Sequence, residues 1–204
     1  TSASSIADSY SLGSAVYTGN VAGAAVGGFV GATASTGTIV SAYSTGYVSA
    51  AAGTAAGFRG TGANTLTDTY WDSQTSGQNS STGSTSKTTA QLQAALLTGF
   101  SGGTWGLIAS TSYPYLSGIY SSTPQVISGM AYSDHGSTAA GGAAIAGLIN
   151  GSTLYGGSGT TGSNGYYYYM VPNGTMGGSA QVLVYLTGAT KGNVFKSAAN
   201  GNLA

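Results

Sequence analysis

Short apolar segments recur along the first seventy residues, and each copy ends in the same kind of alternating strand. The copies close on Tyr10, Tyr43 and Tyr70, at spacings of 33 and 27 residues. Apolar and small polar residues alternate within each copy, which is the two-residue period of a half-buried strand. A repeat of about thirty residues built from short strands predicts coils stacked along one axis. Such a stack is typical of a scaffold.

A glycine-apolar box precedes two of the copies, at Gly27–Gly31 and Ala56–Gly60. Glycine and alanine suit tight corners in which larger side chains do not fit. An open end of the stack would expose unpaired backbone groups and must be capped or paired. The sequence predicts an interior filled by Val16, Val21, Val26, Phe29 and Val30.

The composition changes after residue 72. A loop rich in Ser, Thr, Gly and Gln covers residues 73–89 and leads into a helical pattern over Thr88–Leu97. Thr88 is the expected N-cap, and Leu92, Leu96 and Leu97 are expected on one helix face. We expect the aromatic cluster that follows to close the end of the stack. Its members are Phe100, Trp105, Tyr113, Tyr115 and their apolar neighbours up to Ile119.

Six short motifs occur one after another within residues 1–120. They are Gly-Gly-Phe-Val-Gly at 27–31, Tyr-Ser-Thr-Gly at 43–46, Tyr-Trp-Asp at 70–72, Thr-Ser-Gly at 75–77, Thr-Thr-Ala-Gln-Leu at 88–92 and Tyr-Pro-Tyr-Leu at 113–116. This region resembles the GLUG-type repeats, with their terminal element, of large secreted bacterial adhesins similar to filamentous haemagglutinin. Arg59 departs from that pattern because it replaces an apolar residue, so the last coil is expected to be irregular at its edge.

Residues 123–204 carry several short strand patterns separated by Gly, Asn and Ser turns, which suggests a small sandwich. Motifs such as Asn164–Tyr168 and Val171–Thr175 resemble the carboxypeptidase-regulatory or Cna-B type of immunoglobulin-like domain. The domain looks short of one or two strands and would be completed by later sequence or by another chain. The strands are expected at Val126–Tyr132, Ala143–Ile149, Gly165–Val171, Ala180–Thr187 and Asn193–Ser197.

The fold class expected from these patterns is all-β. A right-handed β-solenoid-like repeat stack is expected in residues 1–72. A loop, a short helix and an aromatic cap follow in 73–122, and a small, incomplete β-sandwich is expected in 123–204. Because residue 1 already lies inside a repeat, we interpret the sequence as an internal piece of a longer precursor.

The composition narrows the classes of partner. Only 4% of the residues are charged, the formal net charge is zero, and the chain has 36 Gly and no Cys. We expect no nucleic-acid partner, because recognition of nucleic acid needs a basic surface. The sequence shows neither a signal peptide nor an apolar run long enough for a transmembrane segment.

Few residues have catalytic potential, because the chain has no Glu and only one His. Asp68 and Asp72 are the one close carboxylate pair, and a β-solenoid glycosidase would need such a pair. Asp8 occupies the same repeat position as Asp68, however, which favours a structural role for Asp68. Asp134 and His135 read as a surface turn. Lysines 191 and 196 with asparagines 193 and 200 are candidates for a Cna-B-type isopeptide bond, for which the usual Glu is missing. We expect no catalytic, cofactor or metal site.

Four consecutive tyrosines, Tyr166, Tyr167, Tyr168 and Tyr169, place two rings on each face of a strand. One pair should pack inward, and the other is either covered or contacts a neighbouring subunit, a glycan or a host protein. The leading hypothesis is a non-enzymatic segment of an extracellular bacterial adhesin. The resemblance also implies an outer-membrane secretion partner. The alternative is a subunit of a self-assembling, biofilm-type filament joined by strand exchange between chains.

Overall fold

The computed structural model describes residues 4–34, 36–134, 136–188, 192–196 and 202–203. The chain is built mostly of β-strands with one short helix, which confirms the all-β prediction. It divides into two compact units, Thr1–Leu116 and Ser117–Ala204, and the boundary lies within the segment that the sequence assigns to the cap.

Strands of the first unit pair in parallel with the equivalent strands one repeat later. The first repeat contains β1 (Ser5–Ser11), β2 (Ala15–Tyr17), β3 (Ala25–Gly27) and β4 (Val30–Ala32). The second repeat contains β5 (Thr38–Ser44), β6 (Val48–Ala50), β7 (Thr54–Ala56) and β8 (Arg59–Thr61). The third repeat begins with β9 (Thr65–Asp72), and β10 (Thr85–Lys87) follows in the segment that closes the stack. The long strands form one sheet in the order β1-β5-β9-β10, and β2, β3 and β4 pair with β6, β7 and β8.

The register of these pairs aligns the residues that the sequence pattern aligned. Tyr10 lies opposite Tyr43, and Tyr43 lies opposite Tyr70. Phe29 stacks on Phe58 with ring centroids 4.7 Å apart and planes 4° apart. Like residues therefore form columns that run across the repeats.

The first two repeats differ in length because their loops differ in length. The loop between β2 and β3 spans 18–24, whereas the loop between β6 and β7 spans only 51–53. The longer loop carries Val21, which is 60% exposed, and Val16 on β2 is 56% exposed. The prediction that Val16 and Val21 fill the interior is therefore wrong, because Val16 faces outward opposite Ser49 and Val21 lies on the longer loop.

One position in each long strand has a left-handed backbone. Asp8, Ser41 and Asp68 have φ values of 45°, 51° and 50°, and the parallel register skips this position in both ladders. Asp and Ser tolerate this region better than β-branched residues do. The shared position of Asp8 and Asp68 is thus a backbone feature of the repeat.

Residues 73–87, which we call the capping segment, close the end of the stack beyond the second and third repeats. The Val48 amide donates to the Ser76 carbonyl at 2.9 Å, and the Gly57 amide donates to the Ser80 carbonyl at 3.1 Å. Ser81 Oγ accepts from the amides of Phe58 and Arg59. A loop rich in hydroxyl groups thereby supplies acceptors to strand edges that would otherwise be unpaired.

Arg59 is buried, and β8 pairs in register with β4 through it, so the expected irregularity at this edge is absent. Its guanidinium donates to the carbonyl and side-chain oxygens of Asn64 and to the Thr82 carbonyl. The bond to Thr82 also attaches residues 73–87 to β8.

The helix α1 (Thr89–Ala94) follows Thr88, which is its N-cap, as predicted, and Thr88 and Gln91 form a capping box. It ends earlier than predicted because Ala95 is extended. Leu96 and Leu97 therefore lie beyond the helix and are only partly buried. The turn at Leu97 brings Phe100 back towards the sheet, with the Phe100 amide donating to the Leu97 carbonyl.

The aromatic segment covers the side of the long sheet, so the prediction that it closes the end of the stack is wrong. Trp105 lies 6.1 Å from Tyr10 and 6.0 Å from Tyr43, and Phe100 lies 5.8 Å from Tyr70, between ring centroids. The Trp105 indole also donates to Asp8 Oδ1 at 2.8 Å. These contacts join all three repeats along one side. Two short strands, β11 (Trp105–Gly106) and β12 (Tyr115–Leu116), close the segment.

The second unit contains two sheets that share one core. All five predicted strands are present, with slightly different bounds, and the sequence missed the strand at 152–160. The strands are β13 (Gln125–Met130), β14 (Ala144–Ile149), β15 (Ser152–Thr160), β16 (Tyr166–Val171), β17 (Gln181–Leu186) and β18 (Gly192–Lys196), after a 3-10 turn at Ser117–Ile119. One sheet is β13-β16 and the other is β15-β14-β17-β18. Residues from both sheets, including Ile127, Tyr169, Ile145 and Val182, form the core cluster.

The first strand of this unit also pairs with the end of the chain. Leu203 forms a parallel bridge with Ile127, and the Leu203 amide donates to the Val126 carbonyl at 2.8 Å. The side chain of Asn202 accepts from the Val126 amide at 2.8 Å. A two-residue segment therefore occupies an edge of β13.

Candidate interaction surface

The four tyrosines of β16 alternate between the core and the outer face, as predicted. Tyr167 and Tyr169 are buried, and their ring centroids lie 6.4 Å apart. Burial raises the pKa of Tyr167 and raises that of Tyr169 to about 12. Both inward rings are therefore neutral at physiological pH and act as core residues.

Tyr166 and Tyr168 are half-buried on the outer face of the β13-β16 sheet. Tyr166 lies opposite Met130 in the antiparallel register, and Tyr168 lies opposite Ser128. Met130 is 38% exposed. We call Tyr166, Tyr168 and Met130 the tyrosine face, which combines aromatic, thioether and hydroxyl groups.

A shallow depression begins on the same strand, where Met170 follows the tyrosines with its side chain on the outer face. Tyr120 contributes an aromatic ring, and the remaining polar groups are hydroxyls and one amide. No charged side chain contributes to this lining, which consists of Ile119, Tyr120, Ser121, Ser122, Met170, Pro172 and Asn173. Aromatic, hydroxyl and amide groups together suit uncharged polar ligands or a protein surface.

The predicted carboxylate pair has no shared site. Asp72 is fully buried, and its oxygens accept hydrogen bonds from the Gln74 and Thr75 amides and from the Thr89 and Tyr113 hydroxyls. Burial raises the pKa of Asp72, and these hydrogen bonds oppose that rise. All four donors come from the capping segment, α1 and the aromatic segment, so Asp72 acts as a structural junction.

Asp68 and Asp8 lie at equivalent positions but have different neighbours. Asp8 accepts from Trp105, while Asp68 packs so closely on Gly99 that a Cβ at Gly99 would meet its carboxylate at 2.3 Å. Ser41, between them in the column, donates to the Gly99 carbonyl at 2.8 Å. Each carboxylate thus contacts the aromatic segment and neither contacts the other.

Asp134 organises a surface turn, as predicted. It accepts from the amides of Gly136, Ser137 and Thr138 at 2.8–3.1 Å. Hydrogen bonds from Thr138 and Ser137 hold the pKa of Asp134 well below its usual range. Its neighbour His135 lies outside the described residues.

The isopeptide candidates are only partly described. Lys191 and Asn200 lie outside the described residues, and Asn193 and Lys196 are described as backbone of β18. In the part of the chain that the structure describes, no group of three or more His, Cys, Asp or Glu residues could hold a metal ion. No helix in that same part is long and apolar enough to cross a bilayer.

Sequence reasoning identified the tyrosine strand but missed two features of the surface. One is the depression, because its lining combines residues 119–122 with residues fifty positions later. The other is the closure of one end of the stack by residues 73–87. The run of Ser and Thr at 80–86 was the signal for the closed end, since small hydroxyl side chains can accept from a strand edge.

Comparisons of the chain with known protein families, with characterised proteins and with solved structures gave no significant match in any of the three.

Proposed function

We propose that this chain is a non-enzymatic segment of a secreted bacterial surface adhesin. In this proposal the three parallel repeats are coils of a right-handed β-solenoid that serves as a stiff rod. The second unit is a β-sandwich module that presents the tyrosine face. The GLUG-like order of motifs supports this assignment. In the proposal the chain acts at the extracellular surface and is exported by an outer-membrane secretion partner.

The observation that carries the proposal is the in-register pairing of β1, β5 and β9. Each strand satisfies its neighbour's backbone groups, and the columns of Tyr10, Tyr43 and Tyr70 hold the repeats at fixed spacing. Stiffness of this kind requires neither charge nor disulfides, which fits a chain with 4% charged residues and no Cys. The low charge also favours contacts through aromatic and hydroxyl groups.

Attachment is assigned to the tyrosine face, with a surface glycan or protein as its ligand. The test immobilises the chain on beads and measures retention on glycan-coated and protein-coated surfaces under flow. Tyr166→Ser and Tyr168→Ser should lower retention on one class of surface. Tyr185→Ser is the matched control, since Tyr185 is a half-buried tyrosine at an outward position of the other sheet. Equal retention of all three variants and the parent chain would contradict the assignment.

The second candidate is a self-assembling extracellular filament. It is favoured by the short pairing of Leu203 with Ile127, because a strand edge that accepts two residues of one chain could accept a segment of another. In a filament this exchange would join successive subunits. Removing residues 202–204 should then abolish assembly and leave attachment through the tyrosine face unchanged.

A further inference from the structure

Three Asn-Gly pairs lie in the described part of the second unit, and all three asparagines are in turns. The asparagines are Asn150, Asn164 and Asn173. Asparagine is among the residues that heat damages chemically, and a following glycine promotes loss of the side-chain amide. The reason is that glycine has no side chain to hinder the approach of its own amide nitrogen to the asparagine Cγ. The structure holds the three pairs in different ways.

The Asn150 side chain is bound to a neighbouring strand. Asn150 and Gly151 form the tight turn between β14 and β15, with φ values of 48° and 79°. The side-chain oxygen of Asn150 accepts from the Gln181 amide at 2.9 Å, and the Asn150 amide donates to the Gln181 carbonyl at 2.8 Å. Attack by Gly151 has to break the side-chain bond, because the Asn150 Cγ must turn towards its own backbone.

At Asn164 the attacking group is itself bound. The Gly165 amide donates to the Gly162 carbonyl at 2.9 Å, and the Asn164 side-chain oxygen accepts from the Tyr166 amide at 3.1 Å. Gly165 is also buried, and a Cβ there would lie 2.6 Å from the Ala131 carbonyl oxygen. Neither reacting group can therefore move without breaking a hydrogen bond in a crowded turn.

Asn173 has neither restraint. Asn173 and Gly174 are the exposed tip of a turn, which the Thr175 amide and hydroxyl close by donating to the Pro172 carbonyl at 3.2 and 2.7 Å. A Cβ at Gly174 would meet nothing within 4 Å, so the tip has room to rearrange. Within the described residues, no hydrogen bond holds the Asn173 side chain or the Gly174 amide.

We propose that Asn173 is a site of spontaneous deamidation in the folded chain. The Gly174 amide nitrogen attacks Cγ of Asn173, so that an N–Cγ bond forms and the Cγ–Nδ2 bond breaks. The displaced nitrogen leaves as ammonia and takes the proton of the Gly174 amide. Solvent water then opens the resulting succinimide at either of its two carbonyls. The product at position 173 is aspartate or isoaspartate, and both carry a carboxylate.

The new carboxylate changes the electrostatics of the surface. Asn173 belongs to the depression whose lining has no charged side chain, and deamidation lowers the formal net charge of the chain from zero to minus one. A negative charge at this position disfavours anionic ligands and favours cationic ones. The inference concerns the chemistry of the chain and is independent of the attachment role of the tyrosine face.

Peptide mapping by mass spectrometry tests the proposal on the full 204-residue chain, incubated in mildly alkaline buffer at physiological temperature. Chymotrypsin cleaves after tyrosine and so places each Asn-Gly pair in its own peptide. Conversion at Asn173 should be at least about fivefold faster than at Asn150 or Asn164. This factor corresponds to one hydrogen bond of about 1 kcal/mol. The converted peptide should contain both aspartate and isoaspartate, which chromatography separates.

Two controls separate the effect of the fold from that of the local sequence. In urea that unfolds the chain, the three pairs should convert at similar rates, because each is Asn-Gly and the folded contacts are lost. Asn173→Gln keeps a side-chain amide but adds one methylene, which disfavours ring closure, so that peptide should stay unmodified.

Conversion at Asn173 that is no faster than at Asn150 and Asn164 in the folded chain would overturn the proposal. So would the same order of rates in urea, since the local sequence alone would then set the order. Equal conversion of the Asn173→Gln variant would exclude attack by the Gly174 amide.

Discussion

The Tyr113 hydroxyl donates a 2.7 Å hydrogen bond to Oδ2 of Asp72, a carboxylate with no exposed surface. Thr89 Oγ1 donates to the same oxygen at 2.7 Å, and the Gln74 amide donates to Oδ1 at 2.9 Å. Asp72 ends the last long strand, and its donors lie in the capping segment, α1 and the aromatic segment. One buried carboxylate thus joins the parts that cover the stack.

Removing the Tyr113 hydroxyl tests the importance of this junction. Tyr113→Phe should lower the free energy of unfolding by about 1–3 kcal/mol, since it leaves a buried carboxylate oxygen with one donor fewer. Urea denaturation measures the change. Tyr132→Phe is the control for loss of a hydroxyl from a partly exposed ring, and it should change stability little. Similar effects of both substitutions would remove the special role assigned to Asp72.

The pH dependence of stability should differ between the two units. Burial raises the pKa of Asp72 in the folded state, so its contribution to stability is fully present at low pH and is lost as pH rises through that folded pKa. Hydrogen exchange resolved by segment should show greater protection of the first unit in mild acid than at neutral pH. Asp72→Asn should flatten this dependence.

Asp134 provides the opposite case in the second unit. Its pKa is lowered by hydrogen bonds, chiefly from Thr138, so its contribution is present above the pKa of the unfolded state and is lost on acidification. Asp134→Asn should therefore lower the protection of the second unit at neutral pH and flatten its loss on acidification. A first unit that becomes steadily less protected in mild acid would contradict the interpretation of Asp72.

The stacked phenylalanines differ in burial and should differ in their contribution to stability. Phe58→Ala should cost about 3–5 kcal/mol, as expected for a fully buried phenylalanine. Phe29→Ala removes the same side chain from the same column at the half-buried first repeat and should cost clearly less. Chemical denaturation of both variants gives the comparison, and equal costs would indicate that the first repeat is buried in solution.

The close approach of Gly57 to Trp71 predicts a steric effect. A Cβ at Gly57 would lie 2.0 Å from Trp71 Cε3, whereas a Cβ at Gly23 would meet nothing within 4 Å. Gly57→Ala should therefore destabilise the first unit by about 1–3 kcal/mol, the usual cost of overpacking. Gly23→Ala should be close to neutral. Thermal melts distinguish the two, and a neutral Gly57→Ala would show that Trp71 can move aside.

The parts of the fold that the sequence predicted depend on local pattern. The spacing of Tyr10, Tyr43 and Tyr70 was enough to align the long strands, because the alternation fixes which face is buried. Thr88 with Gln91 marked the helix start by a local capping box. The alternation of the tyrosines on β16 followed from the strand period alone.

The parts that the sequence did not predict depend on tertiary contacts. The helix ends at Ala94 because the following turn takes Phe100 to Tyr43 and Tyr70, which no local signal shows. Arg59 is buried because Asn64 and Thr82 supply oxygens to its guanidinium. The strand at 152–160 was missed because its Gly-rich half lacks an apolar alternation.

Cryo-electron microscopy of the purified chain, without added ligand, tests the central claim most directly. The claim is that the strands of the first unit stack in parallel and that residues 73–87 close one end of the stack. The predicted result is separate particles in which the strands of the first unit are spaced about 4.8 Å apart along the stack. Continuous filaments with an axial repeat of one subunit, and a strand crossing between chains, would contradict it and favour the filament.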